Sequence, residues 1–144
     1  MKKLLITLVM LLWAGVAMAQ NGLVIHDAWI RIISSHVPAA GYFAVDNNSN
    51  EAVKLVAVET PAYARAMLHR SVEKNGQSSM VHVDSVKIPA GGHITFAPGG
   101  YHVMLMQSKQ TLEPGDTVPV TLVFADGSHL TTEFQVRSAF GQAD

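Results

Sequence analysis

The 144-residue chain contains no cysteine. This absence excludes disulfide bonds, thiolate metal sites, thiol redox chemistry and a cysteine nucleophile. It also excludes a blue-copper electron carrier, because that site needs a cysteine thiolate beside two histidines. Any soft metal ligand in this protein must therefore be a methionine thioether.

Charge is also scarce, since Asp, Glu, Lys and Arg make up 15% of the residues and the formal net charge is −1. No basic stripe is present, so neither nucleic acid nor an anionic membrane is expected as a partner. No phosphate-binding loop, nucleophile–base pair or His-Glu metal motif is found either. The sequence therefore predicts a protein that is not an enzyme.

The chain has a single long apolar run, at residues 4–16, after Lys2 and Lys3. This run is shorter than the roughly 20 residues that a membrane span needs, and the small-x-small sequence Ala17-Met18-Ala19 follows it. The pattern predicts an export signal, and the alternative is an uncleaved membrane anchor.

Cleavage near Ala19/Gln20 would leave a soluble periplasmic domain over residues 20–144, without membrane insertion. Loss of the signal removes two lysines and changes the formal charge from −1 to −3. No cysteine follows the cleavage site, so a lipid anchor is not expected. We expect the mature domain to be a monomer.

The mature sequence consists of short β-like segments separated by turn residues. Asn75-Gly76 and Asp126-Gly127, each between alternating apolar runs, are hairpin signals. The pattern predicts an all-β single domain, either a sandwich or a Greek-key barrel. The predicted strands are residues 24–33, 41–46, 53–59, 65–72, 79–86, 93–96, 102–107, 118–124 and 129–136.

Methionine and histidine are concentrated in one part of the mature chain. Its four methionines lie within 40 residues that also contain four histidines. These residues are Met67, His69, Met80, His82, His93, His102, Met104 and Met106.

A hairpin turn at Asn75-Gly76 would pair His69 with His82 and Ser71 with Met80. Opposed residues project from the same face of a sheet, and successive residues alternate between faces. Met67, His69, Met80 and His82 would therefore share one face. A register slip of one residue would break this arrangement.

In the second cluster, alternation places His102, Met104 and Met106 on one face of a strand that begins after Pro98-Gly99-Gly100. If this strand lay beside the strand pair that contains His69 and Met80, the two clusters together would offer two imidazoles and two thioethers to one ion. Thioethers are soft ligands that select Cu(I), and four neutral ligands hold a monovalent ion at lower cost than a divalent one.

Several of these residues have a simpler interpretation. Methionine is a common core filler, so core packing is favoured for Met67 and Met106. His82 shares the predicted face of His69 and remains open as an additional or competing ligand. Four other histidines are expected to be structural or exposed: His26, His36, His93 and His129.

The spacing H-x10-M-x21-H-x-M, formed by His69, Met80, His102 and Met104, resembles the signature of the PCu(A)C-type periplasmic copper chaperones. The resemblance extends over nearly all of residues 23–137. Further similar segments are residues 38–43, 88–92, 98–106, 114–122 and 124–128. Two departures are Arg70, where an acidic residue is frequent, and His82 close to Met80.

The resemblance implies a cupredoxin-like Greek-key barrel and one Cu(I) bound by His69, Met80, His102 and Met104. It also implies delivery of copper to an accepting protein, either an intermediate carrier or the subunit with the dinuclear copper centre of cytochrome c oxidase. The remaining alternative is an exported β-sandwich used in adhesion or assembly, in which histidine and methionine only pack.

Overall fold

The computed structural model describes residues 22–140, which fold into ten β-strands. The all-β class predicted from the sequence is confirmed. In chain order the strands are β1 (Leu23–Ile32), β2 (Ala39–Asn47), β3 (Val53–Glu59), β4 (Tyr63–Lys74), β5 (Gln77–His82), β6 (Val86–Ile88), β7 (His93–Phe96), β8 (Tyr101–Ser108), β9 (Thr117–Phe124) and β10 (His129–Ser138).

The strands form one sheet in the order β5-β4-β8-β7-β2-β1-β10-β9-β3-β6, and β8 also pairs with β2. The β1–β10 and β7–β8 pairings are parallel, and the other pairings are antiparallel. Strands that are distant in sequence, such as β4 and β8, are neighbours in the sheet. This long-range pairing brings the two histidine- and methionine-rich segments side by side.

Along the strands, buried apolar residues alternate with more exposed ones, and the buried residues form the core. In β9, Val118, Val120, Leu122 and Phe124 are buried, whereas the residues between them are more exposed. Every strand except β5 contributes a buried apolar side chain to the core cluster. Strand β5, at one edge of the sheet, is exposed along its whole length.

The β4–β5 hairpin turns at Asn75 and Gly76, whose φ angles are 54° and 75°. Two consecutive positive φ angles are typical of a type I′ turn, which fixes the register of the hairpin. His69 pairs with His82, and Ser71 pairs with Met80, as the sequence predicted.

The predicted strand at residues 79–86 is wrong, because the chain divides there into β5 and β6. After His82, the Val83 amide still donates to the Leu68 carbonyl, and the exposed Asp84 and Ser85 follow. Val86 then joins the opposite edge of the sheet, on β3, where its side chain is buried. The other predicted strands lie within two residues of the observed bounds.

Asn47 is fully buried at the end of β2, at 0% exposure. Its Nδ2 donates to the carbonyls of Glu51 and Pro89 at 2.8 and 3.1 Å. Its Oδ1 accepts from the amide and hydroxyl of Ser49 at 3.1 and 2.7 Å. One side chain thus joins the β2–β3 turn to the chain between β6 and β7.

In the described part of the chain, no helix is long and apolar enough to cross a membrane. The predicted export signal lies outside the described residues.

Replacing Asn47 with Ala should destabilise the protein by about 2–4 kcal/mol, because it leaves buried polar groups without partners. Urea unfolding measures the change. The matched control is Asn50→Ala, at an exposed position in the same turn, which should change stability by less than about 0.5 kcal/mol. Equal effects of the two substitutions would contradict the structural role of Asn47.

Candidate metal centre

The candidate site lies on the outer face of three neighbouring strands, β5, β4 and β8. Leu68, Val103 and Leu105 point into the core from β4 and β8. The residues that alternate with them therefore project from the other face. This outer face contains the histidines and methionines of both sequence clusters.

Three histidines form a row across these strands. His69 pairs with His82 on one side and with His102 on the other. The His69 ring centre lies 6.0 Å from that of His82 and 5.7 Å from that of His102. His69 and His102 are only 8% and 4% exposed, whereas His82 is exposed and its Nε2 lies 3.2 Å from Asp84 Oδ1.

One ring nitrogen of each buried histidine has no hydrogen-bonding partner among the described residues: Nδ1 of His69 and Nε2 of His102. The other nitrogen of His102, Nδ1, lies 3.4 Å from the Gly100 carbonyl oxygen. That contact favours the proton on Nδ1 and leaves the lone pair on Nε2. A ring oriented by a backbone carbonyl, with its second nitrogen free, is the usual arrangement of a histidine that binds metal.

Burial lowers the pKa of His69 below its ordinary value of 6.5, and the neighbouring His102 and His82 lower it further. Desolvation disfavours the charged form of a buried imidazole, and nearby like charges add to this effect. His69 is therefore held in the neutral form, which is the form that binds a metal.

The predicted methionine ligands lie on either side of this histidine row. Met104 pairs with Met67, and Met80 pairs with Ser71. Met104 and Met80 are thus both diagonal neighbours of His69, in opposite directions along the strands. Met104 is half-buried, whereas Met80, on the edge strand β5, is 57% exposed. The four predicted ligands share one face, and Met80 is the most distant from the His102 strand.

The expectation that Met67 and Met106 fill the core is wrong. Both are half-buried on the outer face, and neither belongs to the apolar core cluster or packs against it. The Arg65 Nη2 lies 3.7 Å from the Met67 sulfur. On these two strands Leu68, Val103 and Leu105 point into the core. Because successive side chains alternate between faces, the methionines next to them in sequence lie outside.

The four histidines set apart by the sequence are exposed and lie outside this row: His26, His36, His93 and His129. His26 contacts the carboxylates of Asp27 and Asp46 at 2.9 and 3.1 Å. Its hydrogen bond with Asp27 is the main cause that raises the His26 pKa above 6.5. Arg70, by alternation, projects from the face opposite to His69.

Within residues 22–140, no three side chains of His, Asp or Glu come together in a way that could hold a metal ion. The two buried imidazoles, His69 and His102, lie close to one another, and the thioethers on the same face are further candidate ligands for an ion bound there.

The same outer face also contains Trp29, Arg31 and Arg137, which the sequence analysis did not single out. Alternation around the buried Ile30 and Val136 places the two arginines on the outer face. Their proximity depends on the parallel pairing of β1 with β10, for which the sequence contains no local signal.

Comparison with known proteins places these features in a family. The sequence model of the LpqE-like family, described as "Putative lipoprotein LpqE-like", matches residues 23–136. A protein of Leifsonia xyli subsp. xyli described as "Putative lipoprotein Lxx21020" is 38% identical over 109 residues, which cover 75% of this chain and 65% of that protein. The chain thus spans just under two thirds of the length of this relative.

Two solved structures are similar over most of both chains. The solution structure of Cu(I)-DR1885 from Deinococcus radiodurans is 32% identical, with a TM-score of 0.68, covering 87% of this chain and 84% of that one. The copper-bound PCuAC domain from PmoF2 is 23% identical, with a TM-score of 0.68, and the match covers 81% and 93%. This likeness confirms the predicted cupredoxin-like fold. The chain belongs to the LpqE-like family and is of the PCuAC type.

Proposed function

We propose that this protein is a periplasmic copper chaperone that binds one Cu(I) through His69, Met80, His102 and Met104. It gives up the ion by ligand exchange and catalyses no reaction. Its cargo is destined for the dinuclear copper centre of cytochrome c oxidase, directly or through an intermediate carrier.

The observation that supports this proposal most strongly is a pair of buried ring nitrogens, on His69 and His102, that have no partner in the part of the chain that the structure describes. Burying a polar nitrogen without a partner costs roughly 1–3 kcal/mol. Two such atoms on directly opposed residues are readily explained by an ion that both can bind. A metal-free adhesion or assembly module has no use for this arrangement.

The charge of the site favours Cu(I) over a divalent ion. His69 is held neutral, and the thioethers of Met80 and Met104 have no charge. Neutral ligands leave the charge of the ion uncompensated, so a monovalent ion is less costly to bury. Thioethers also select soft Cu(I) over Zn, Mg or Ca.

The exposure of Met80 supports a carrier rather than a permanent copper site. Met80 lies on the edge strand β5, which contributes no residue to the apolar core. A ligand of an accepting protein can therefore approach from the side of Met80 and replace its thioether. The two buried imidazoles hold the ion during this exchange.

The similar structures that contain copper support the same function. DR1885 was solved with Cu(I), and the PmoF2 domain was solved with copper bound. Membership of the PCuAC type makes this cargo a natural assignment for the present chain.

An anaerobic competition titration with a Cu(I) chelator tests the ligand set. The wild-type protein should bind one equivalent, and the double variant Met80→Leu with Met104→Leu should bind at least about 100-fold more weakly, because leucine supplies no sulfur ligand. X-ray absorption of the loaded wild-type protein should count two sulfur and two nitrogen neighbours.

The matched control is Met67→Leu with Met106→Leu, which removes two thioethers from the same face. This variant should keep the affinity within about threefold of wild type. Wild-type affinity in the Met80/Met104 variant would refute the ligand assignment, and a large loss in the control would transfer that role to Met67 or Met106.

Delivery by ligand exchange predicts that an acceptor accelerates copper release. The Cu(I)-loaded protein is mixed anaerobically with the soluble copper domain of the oxidase subunit, and transfer is followed over time. The initial rate should rise in proportion to acceptor concentration, because the acceptor attacks the bound ion. A rate that is independent of acceptor concentration would indicate spontaneous release and contradict this mechanism.

The neutral state of His69 predicts how the stability of the metal-free protein depends on pH. The unfolded chain takes up this proton near pH 6.5, whereas the folded protein does so only at lower pH. Between these values the unfolded state binds more protons, so stability should fall as the pH decreases from about 6.5 to the folded-state pKa.

Urea unfolding at several values between pH 7 and pH 5 measures this loss. His69→Gln should make the decline shallower, whereas His129→Gln, at an exposed position, should leave it unchanged. An equal decline in wild type and His69→Gln would show that His69 is not held neutral by folding.

A further inference from the structure

On the outer face of β1, β2 and β10, two adjacent aromatic rings lie between two arginines. The guanidinium carbon of Arg31 lies 5.3 Å from the centre of the Tyr42 ring. The Tyr42 ring centre is 4.8 Å from that of Trp29, and the guanidinium carbon of Arg137 lies 5.2 Å from Trp29. We call Arg31, Tyr42, Trp29 and Arg137 the cation–aromatic stack.

The two arginines of the stack are directly opposed, because Arg31 pairs with Arg137 in the parallel β1–β10 ladder. Like charges at opposed positions destabilise a sheet. The ion pairs found within residues 22–140 involve only His26 and His82, so neither arginine has a carboxylate partner there. Arg137 donates one hydrogen bond, to Gln135 Oε1 at 3.2 Å.

A cavity of about 800 Å³ lies beside the stack. It is lined by Trp29, both arginines, the polar side chains of Gln135 and Ser138, and the less polar residues Pro114, Gly115, Val136 and Ala139. The planar guanidinium group binds carboxylates through two parallel hydrogen bonds. Because the aromatic rings already hold the arginines in place, less side-chain freedom is lost when an anion binds.

Lys54 and Lys87 provide an internal comparison. They are also directly opposed on neighbouring strands, β3 and β6, and both are exposed. No aromatic ring holds either lysine, since both cation–aromatic contacts of the described residues belong to the arginines. The lysine pair therefore has the same charge without the fixed geometry.

We propose that the cation–aromatic stack and its cavity bind an acidic segment of a partner protein. The two guanidiniums are held by aromatic rings and have no carboxylate partner within residues 22–140, so they provide the charge complementarity, and the cavity is large enough for several side chains of a peptide. This site does not depend on copper.

The binding site also continues toward the candidate metal centre. Arg31 pairs with Ala40, which pairs with Met104, so these residues lie in one row of the sheet. Two strand spacings separate Arg31 from Met104, which is about 10 Å. A partner bound at the stack would therefore lie next to the proposed copper ligands.

Fluorescence of Trp29 tests the proposal on the metal-free protein. The proposed mature protein, residues 20–144, has Trp29 as its only tryptophan, because Trp13 belongs to the predicted export signal, so Trp29 is the sole reporter. Hexaglutamate with blocked ends should give a saturable change in emission at low ionic strength. Hexalysine should give none, and inorganic phosphate should bind at least about tenfold more weakly than the peptide, because it reaches fewer groups.

In this mature protein, Arg31→Gln with Arg137→Gln should weaken hexaglutamate binding at least about tenfold, because the charge-assisted hydrogen bonds are lost. The matched control Lys54→Gln with Lys87→Gln removes the same charge and should stay within about twofold of wild type. If the glutamine variant does not fold, as judged by circular dichroism, Arg31→Lys with Arg137→Lys replaces it and should weaken binding at least about threefold.

Unchanged affinity in the arginine variant, or an equal loss in the lysine control, would overturn the site. Phosphate binding as tight as that of hexaglutamate would overturn the peptide assignment. Because no copper is present, none of these outcomes depends on the copper titration.

Discussion

The antiparallel pairing of β4 with β8 is the constraint on which the candidate site depends. It places His69 directly opposite His102, although 32 residues lie between them in the chain. Because opposed residues share a face, the same register also brings Met104 beside His69. A slip of β4 by one residue would turn His69 toward the core and expose Leu68 instead, while His102 and Met104 kept their face. The burial of Leu68 therefore maintains the geometry of the polar residues.

The outer face of this sheet contains buried side chains as well as solvent-exposed ones. Tyr42, His69 and His102 are buried there, although none of them belongs to the apolar core cluster. On β2, Tyr42 follows Gly41, whose partner is Val103, and His102 precedes Val103 on β8. The cation–aromatic stack and the histidine row therefore lie next to each other on one surface. Partner recognition and metal exchange, as proposed, would use adjacent parts of that surface.

The sequence alone predicted much of this arrangement. Asn75-Gly76 fixed the hairpin register, and alternation assigned the faces, because both are local properties of the chain. The division of residues 79–86 between β5 and β6 was not predictable in this way, because Val86 leaves one edge of the sheet for the other. The faces of Met67 and Met106 followed from alternation, but the general tendency of methionine to fill cores favoured the wrong assignment. The opposition of Arg31 and Arg137 arises from a parallel pairing between the first and last strands, which no local pattern indicates.

Strand β5 is attached to the sheet only through β4 and contributes nothing to the apolar core. Local opening of such an edge requires the loss of few buried contacts, so its free energy lies well below that of global unfolding. The amide protons of β5 should therefore exchange with solvent far sooner than those of β4 or β8. The strand that bears Met80 can thus rearrange independently, while the barrel keeps the two imidazoles in a fixed relation.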